Sequence, residues 1–402
     1  MDPGDVEYEP VSVKEVLAEM KDTAELLIDL AYSAVLHGSD DIAEEVLELE
    51  DRMDVLQLQA RMSLLLAARS TEDAEELAPV LGVVGAAEKI SNAAGDIAKI
   101  VVEDIGLPET MRASLPEAVE TVVRTTVADD SAYAGRTLAD SNVETETGVR
   151  VIAVHRGGDW ITDPDYGTTL RGGDTVLLRG PEEGLAEVYE TLSGERYEPP
   201  NPPEATIDDL ERAVDSIVLM KNMSELAVDL AYGAMLFDSE GVAEEVLELE
   251  AEVDALKSRL EAWTLRAAAG VDDPVSLRGL VHLASATEVI SDAALEISEG
   301  VLRGIDAHPV VAAAVQESDE VIVRLTVAPG SDLAGATLGG REVKTETGMR
   351  VIAVKRADGT EWVVSPGPET ELRPGDVAIA KGTRAGAERL GRLLGDPREF
   401  EQ

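Results

Sequence analysis

The 402-residue chain carries 81 Asp plus Glu against 34 Lys plus Arg, a formal charge of −47. With no basic stripe to neutralise phosphates, nucleic acid polymers are excluded as partners. The absence of cysteine excludes disulfides and thiolate sites for zinc or iron–sulfur clusters, and the four histidines, His37, His155, His282 and His308, have no His-to-His metal spacing.

Such an acidic, Lys-poor surface repels itself at ordinary ionic strength, whereas a Debye length of about 3 Å at 1 M salt removes most of that repulsion. The composition reads as halophilic, suited to a cytoplasm loaded with molar KCl. Regular apolar periodicity and a 44% hydrophobic content argue against a disordered acidic chain. No apolar run approaches the roughly 20 residues of a membrane span. The start Met1-Asp-Pro-Gly-Asp lacks the basic and apolar regions of a signal peptide, so a cytoplasmic protein without a span is expected.

In chain order, apolar residues at Val13, Val16, Leu17, Met20, Ala24, Leu27, Ala31 and Val35 form a helical stripe over 12–37. Gly38-Ser-Asp-Asp breaks it, and Ser39 or Asp40 can cap a second helix through Ile42, Val46, Leu49, Met53 and Leu56 to Ala68. A third begins near Thr71 and stops at Gly106-Leu-Pro. Beyond Pro116 the character changes: 119–127 alternates and is rich in β-branched residues, 149–155 follows, and Gly157-Gly158 and Gly172-Gly173-Asp174 mark tight turns between short strands. Residues 181–192 close this part as a helix, and Tyr197-Glu-Pro-Pro-Asn-Pro-Pro203 is a stiff, extended linker.

The plan then repeats. Ala43-Glu-Glu-Val-Leu-Glu-Leu-Glu50 recurs unchanged at 243–250, and 143–156 recurs as 343–356, both at an offset of 200. The repeated unit is half the chain, too long for a solenoid repeat. Helices are expected over 207–237, 242–268, 274–302 and 384–394, with strands between 321 and 380. Two residues are inserted in a hairpin region of the second copy, since Trp160 corresponds to Trp362 and Asp174 to Asp376. The fold class is α+β, with two three-helix units forming a helical bundle, each followed by a small α+β domain. The boundaries are 1–112, 113–196, a Pro-rich linker 197–204, 205–308 and 309–402.

The helical units resemble half of PhoU, the regulator of phosphate uptake, through Ala43-Glu-Glu-Val-Leu-Glu-Leu-Glu-Asp-Arg-Met-Asp54 and Glu88-Lys-Ile-Ser-Asn-Ala-Ala-Gly-Asp-Ile-Ala98. The strand-rich units resemble the C-terminal ligand domain (TrkA-C or RCK_C) of RCK and TrkA proteins, which gate potassium channels and transporters. That likeness is carried by Ala134-Gly-Arg-Thr-Leu138, Gly148-Val-Arg-Val-Ile-Ala-Val-His-Arg156 and Leu170-Arg-Gly-Gly-Asp174, repeated at 334–338, 348–356 and 372–376.

The first resemblance implies carboxylate pairs that hold a divalent or ferric metal, at Glu50, Asp54 and Glu88 in one unit and Glu250, Asp254, Glu288 and Asp292 in the other. Asn92 replaces one Asp of the first set. In so acidic a chain, i,i+4 pairs such as these also arise on solvated faces. Asp29 and Asp229, each followed by Leu-Ala-Tyr, read as partly buried carboxylates that need a partner or metal. The second resemblance implies a small regulatory ligand, cyclic di-AMP or another nucleotide, held in a cleft by Arg150, Arg156, Arg350 and Arg356. Strand alternation places 150, 152, 154 and 156 on one face, with His155 and Lys355 on the other. The alternative is that these arginines pair with Glu144, Glu146 or other surface carboxylates. The glycine-rich turns are hairpin turns rather than phosphate cradles, and no catalytic motif occurs.

These features imply a regulatory, non-enzymatic protein that docks on a membrane potassium transporter or channel subunit, as a homodimer or an intramolecular pseudo-dimer. The rival is a metal-binding adaptor for phosphate uptake.

Overall fold

The computed structural model describes residues 12–68, 70–107, 121–141, 143, 147, 149–157, 159–161, 164, 167–180, 182–197, 208–271, 273–304, 308–318, 321–357 and 362–395. The expected linker at 198–203 and the boundary at 112–113 lie outside them, as do Glu144 and Glu146.

The helices of the first half are α1 (Val13–His37), α2 (Asp40–Ala67) and α3 (Thr71–Val102). Gly38 adopts φ +56° and closes α1 with its N–H on Ala34 and Val35 carbonyls, a left-handed cap that suits glycine. Ser39 then accepts a hydrogen bond from the Ile42 N–H at 3.3 Å and starts α2. The second half supplies α6 (Asp208–Phe237), α7 (Glu240–Ala267) and α8 (Arg278–Leu302, preceded by a 3₁₀ turn at Pro274–Leu277). All six contribute to one apolar core, in which Leu27, Leu30, Met53, Ile90, Met220, Leu230, Leu260 and Ile290 are buried. The two units therefore share a core instead of each closing its own.

α3 and α8 run antiparallel across the interface. The Gly279 N–H donates to the Gly106 carbonyl at 3.0 Å, and a Cβ on Gly279 would meet that oxygen at 2.6 Å. Only glycine allows the end of one unit to approach the other so closely.

In the first half, β1 (Thr121–Thr126), α4 (Leu138–Ser141), β2 (Arg150–Arg156), β3 (Asp159–Ile161), β4 (Thr175–Gly180) and α5 (Glu182–Ser193) build an antiparallel sheet of order β1-β4-β2-β3. The second half has α9 (Pro309–Glu317), β5 (Val321–Thr326), β6 (Ala336–Thr337), α10 (Val343–Thr347), β7 (Met349–Lys355), β8 (Trp362–Val364), β9 (Glu371–Leu372), β10 (Val377–Gly382) and α11 (Arg384–Leu394). Its main sheet has the equivalent order, β5-β10-β7-β8. One face of each sheet packs under its own helix, as with Val151, Val154, Val176 and Leu185. The other face joins the helical core through Ala153 and Leu177, or Ile352, Ala353 and Ile379.

Two expectations are corrected. Residues 309–317, placed with the second strand domain, form a helix whose Val311, Ala314 and Val315 belong to the helical core; Pro309 at its first position and the His308 Nδ1, which accepts the Val310 N–H at 3.1 Å, start it. The strand faces also differ. The pairing of β2 with β4 runs Val151↔Leu178 and then Ala153↔Leu177, and β7 with β10 runs Val351↔Ala380 and then Ala353↔Ile379. Ile152 and Ile352 are thus the extra residues of β-bulges, and a one-residue shift exchanges the faces beyond them. Arg150 and Arg156 consequently point to opposite faces, as do Arg350 and Arg356. His155 and Lys355 fall on the bundle side with Arg150 and Arg350.

Candidate functional site

The sheet faces meet the bundle at a polar junction on the pseudo-two-fold axis. α1 presents Glu25 and Asp29 one turn apart, and α6 presents the equivalents Glu225 and Asp229. Opposite them stand Arg179 at the end of β4 and Lys381 at the corresponding position of β10. Arg179 Nη1 lies 2.8 Å from Asp29 Oδ2. Lys381 Nζ lies 2.6 Å from Asp229 Oδ1 and 3.3 Å from Glu25 Oε1, so one ammonium of the second half bridges carboxylates of both halves. Beneath them, the fully buried Lys21 lies 2.9 Å from Glu25 Oε1 and donates to Ser318 Oγ at 2.7 Å, while Lys221 pairs with Glu225.

Part of this cluster surrounds a cavity of about 100 Å³, with an acidic wall from the long helices and a basic wall of Arg179, Arg350 and Lys381 from the sheets and Lys344 from α10. The expectation that Asp29 and Asp229 are partly buried carboxylates in need of a partner or metal is met by cations of the sheets. Burial pushes the Asp29 carboxyl up to about 6, against the opposing pull of Arg179. Burial also raises Asp229, against Lys381.

The four predicted arginines part company here. Arg350 lines the cavity and is exposed. Arg150 pairs across the sheet with Arg179 in register but is not among the cavity's lining residues. Arg156 donates to both oxygens of Asp174, from Nε at 2.8 Å and Nη2 at 2.5 Å, and to the Thr169 carbonyl at 2.7 Å. Arg356 likewise holds Asp376 at 2.7 Å and the Glu371 carbonyl at 2.9 Å. Asp174 and Asp376, the acids of the Gly-Asp turns, are 2% and 1% exposed, and each also accepts a backbone N–H, from Arg171 and Arg373. Each small domain is therefore locked by its own arginine–aspartate pair on the face away from the cavity, a two-point fork at Asp174 and a single bond at Asp376, whose other oxygen accepts the Ala357 N–H.

Arg179 and Lys381 escaped the sequence reading. Their signal was a cation kept at equivalent positions of the last strand (Thr-Val-Leu-Leu-Arg179 and Val-Ala-Ile-Ala-Lys381) in a chain that has few cations.

The carboxylate sets lie elsewhere, between the second and third helix of each unit. In the second unit, oxygens of Glu250, Asp254 and Asp292 fall within 4.8 Å of one another. Glu288 is beside Asp254 and pairs with Lys257. Burial raises Glu250, Asp254 and Asp292, and like charge adds to it, Glu288 acting on all three. Three such oxygens fit a hard divalent cation that keeps several waters. In the first unit an ammonium takes part of that role, with Lys99 Nζ 3.7 Å from Glu50 Oε1 and 3.2 Å from Asp96. There Glu88 pairs with Arg61 at 3.2 Å and Asp54 is exposed.

Among the described residues no helix is long and apolar enough to cross a membrane. No curated protein matches the chain. In structure the chain is similar to PhoU from Pseudomonas aeruginosa, at 13% identity over 73% of this chain and 96% of that one, with a TM-score of 0.40. It is also similar to the GsuK RCK domain, at 16% identity over 68% of this chain and 63% of that one, TM-score 0.18. For the GsuK channel bound to NAD the values are 15%, 78%, 65% and 0.19. The chain thus spans somewhat less than two thirds of either GsuK protein. The PhoU domain model matches residues 17–101 and 217–301, and the TrkA-C domain model matches 122–193 and 322–395. Both are regulatory domains, not catalytic families. The chain is a tandem duplication of a PhoU domain followed by a TrkA-C domain.

Proposed function

We propose that this protein is a cytoplasmic regulator of potassium transport that senses a small anionic ligand at the junction of its TrkA-C sheets with its PhoU bundle, and that it docks on a membrane transporter or channel subunit. The observation that carries the reading is the cavity itself: cations of both TrkA-C domains face carboxylates of both PhoU units, and Arg350 stands exposed on its wall. A guanidinium in that position can fork a phosphate. At about 100 Å³ the cavity takes a phosphate group, whereas a whole nucleotide needs the sheets to part. A ligand that enters only the parted form has the differential affinity that a population shift requires. The halves already form a pseudo-dimer through one core, so the ligand would act within a single chain.

The test is thermal stabilisation in molar KCl across cyclic di-AMP, ATP, ADP, AMP and NAD(H), with Arg350→Ala as control. Stabilisation by one nucleotide that the variant loses supports the reading. No stabilisation by any of them removes its central step.

A second reading, a metal-binding adaptor of phosphate uptake, is favoured by the convergence of Glu250, Asp254 and Asp292. Retained divalent or ferric metal after purification, lost in Asp254→Ala, would select it.

A further inference from the structure

The cavity at the junction has a symmetric floor and an unequal roof. From the long helices it takes matched residues, Glu25 with Glu225 and Asp29 with Asp229. Among the described residues of the sheet domains, only Arg179 and Lys381 match. Lys344, Gly348, Arg350 and Gly382 of the second TrkA-C domain also line it, whereas Arg150 and Gly180, the counterparts of Arg350 and Gly382, do not. Arg350 is exposed and Arg150 half-buried. The sequence separates the two domains at the same place. Val143-Glu-Thr-Glu-Thr-Gly148 and Val343-Lys-Thr-Glu-Thr-Gly348 differ only in Glu144 against Lys344, a reversal of charge at a residue that lines the cavity in the second copy.

Three cations of one domain thus converge on one wall, in a chain with 34 Lys plus Arg against 81 Asp plus Glu. Arg350 and Lys381 are direct partners in the register of β7 with β10, so two like charges stand side by side and repel. Asp229 meets Lys381 at 2.6 Å, and Lys344 brings a third positive charge from α10. Phosphate oxygens can take a guanidinium fork and an ammonium at once. The carboxylates opposite repel an anion, so such a group would rest on the Lys344 and Arg350 side and not on the floor. We propose that the ligand site belongs to the second TrkA-C domain, where Lys344 and Arg350 together hold one phosphate group, and that the first domain, with Glu144 at the aligned position, holds none. This assignment presupposes the anion site of the proposed function; under it a duplicated chain takes one ligand, not two, and Lys344 is the residue that separates its halves.

The experiment is calorimetric titration of the full chain in molar KCl with inorganic phosphate, AMP and cyclic di-AMP, on the parent and on Lys344→Gln, Lys344→Glu, Arg350→Ala and Arg150→Ala. The expected result is one equivalent bound per chain. Loss of one charge-assisted contact in Lys344→Gln should weaken binding by roughly tenfold or more. Lys344→Glu, which copies the first domain, should weaken it further, and Arg150→Ala should leave it unchanged. Two equivalents per chain, full affinity in Lys344→Gln, or a loss in Arg150→Ala equal to that in Arg350→Ala would overturn the proposal. Any of these, with binding still lost in Arg350→Ala, leaves the junction a sensor and removes only its assignment to one domain. No binding of any of the three probes removes both.

Discussion

The ammonium of Lys21 lies 5.6 Å from the centre of the Tyr232 ring, and Lys221 lies 5.8 Å from that of Tyr32, so each PhoU unit places its buried lysine on the other unit's tyrosine. This exchange is the self-complementary pattern of a two-fold dimer, fused into one chain. Lys21 is 2% exposed and its partners include Glu25, Asp22 and Ser318. Lys21→Met keeps the volume but takes the ammonium at 2.9 Å away from the Glu25 carboxylate. Removing one member of a buried pair costs on the order of 3 kcal/mol. The double variant Lys21→Met/Glu25→Met is expected to lose less than the single one, in denaturant titrations at fixed KCl.

The arginine–aspartate pairs divide the predicted ligand-binding arginines by role. Burial opposes the charge on Asp174, but the Arg156 hydrogen bonds and the Arg171 amide prevail and hold its carboxyl below the ordinary range. A depressed carboxyl stabilises the fold above its unfolded value and loses that contribution as pH falls through the folded one. Arg156→Ala is expected to cost about 2–4 kcal/mol, because it strands a buried acid, and to leave Arg350-dependent ligand affinity unchanged. Arg350→Ala should do the reverse: little change in stability and a loss of affinity. Paired melting and binding titrations on the two variants check both halves.

The sequence made the duplication, the six long helices and the strand-rich units legible, because apolar spacing reports which face is buried. Asp29 and Asp229 were legible as partly buried carboxylates because each runs directly into Leu-Ala-Tyr, an apolar context on the side of the helix away from the Leu27 and Ala31 stripe. What stayed hidden depended on a single extra residue or on distant pairing. Nothing in Arg150-Val-Ile-Ala-Val-His-Arg156 marks Ile152 as a bulge, yet the bulge sends the two arginines to opposite faces. Arg179 and Asp29 are 150 residues apart, and no local periodicity can bring them together.

The acidic trio of the second unit gives a prediction of opposite sign to that for Asp174. Burial and then like charge raise Glu250, Asp254 and Asp292, so their ionisation destabilises the fold as pH rises through the raised values. Glu250→Gln is therefore expected to raise the melting temperature at pH 8 and to leave it unchanged at mildly acid pH. A divalent cation should act like the substitution. Manganese at about a hundred times its dissociation constant stabilises by roughly 2.7 kcal/mol, and Glu250→Gln/Asp254→Asn should abolish that gain. Glu50→Gln, in the unit where Lys99 supplies the positive charge, should leave the manganese response intact. Melting curves with and without manganese across the three proteins are the check.

The net charge of −47 sets a separate dependence on salt. Charges spread over the surface repel one another across distances that about 0.1 M salt screens only beyond about 10 Å, whereas molar salt shortens that range to about 3 Å. Buried pairs such as Lys381 with Asp229 are screened far less. Dilution from 2 M to 0.1 M KCl is therefore expected to lower the melting temperature of the whole chain, while the difference between the parent and Lys21→Met/Glu25→Met changes little. If that difference instead vanishes at high salt, the Lys21 and Glu25 pair is reached by solvent and belongs with the surface charges. Melting curves of the two proteins over a KCl series separate the surface contribution from the buried one, because only the first should follow the screening length.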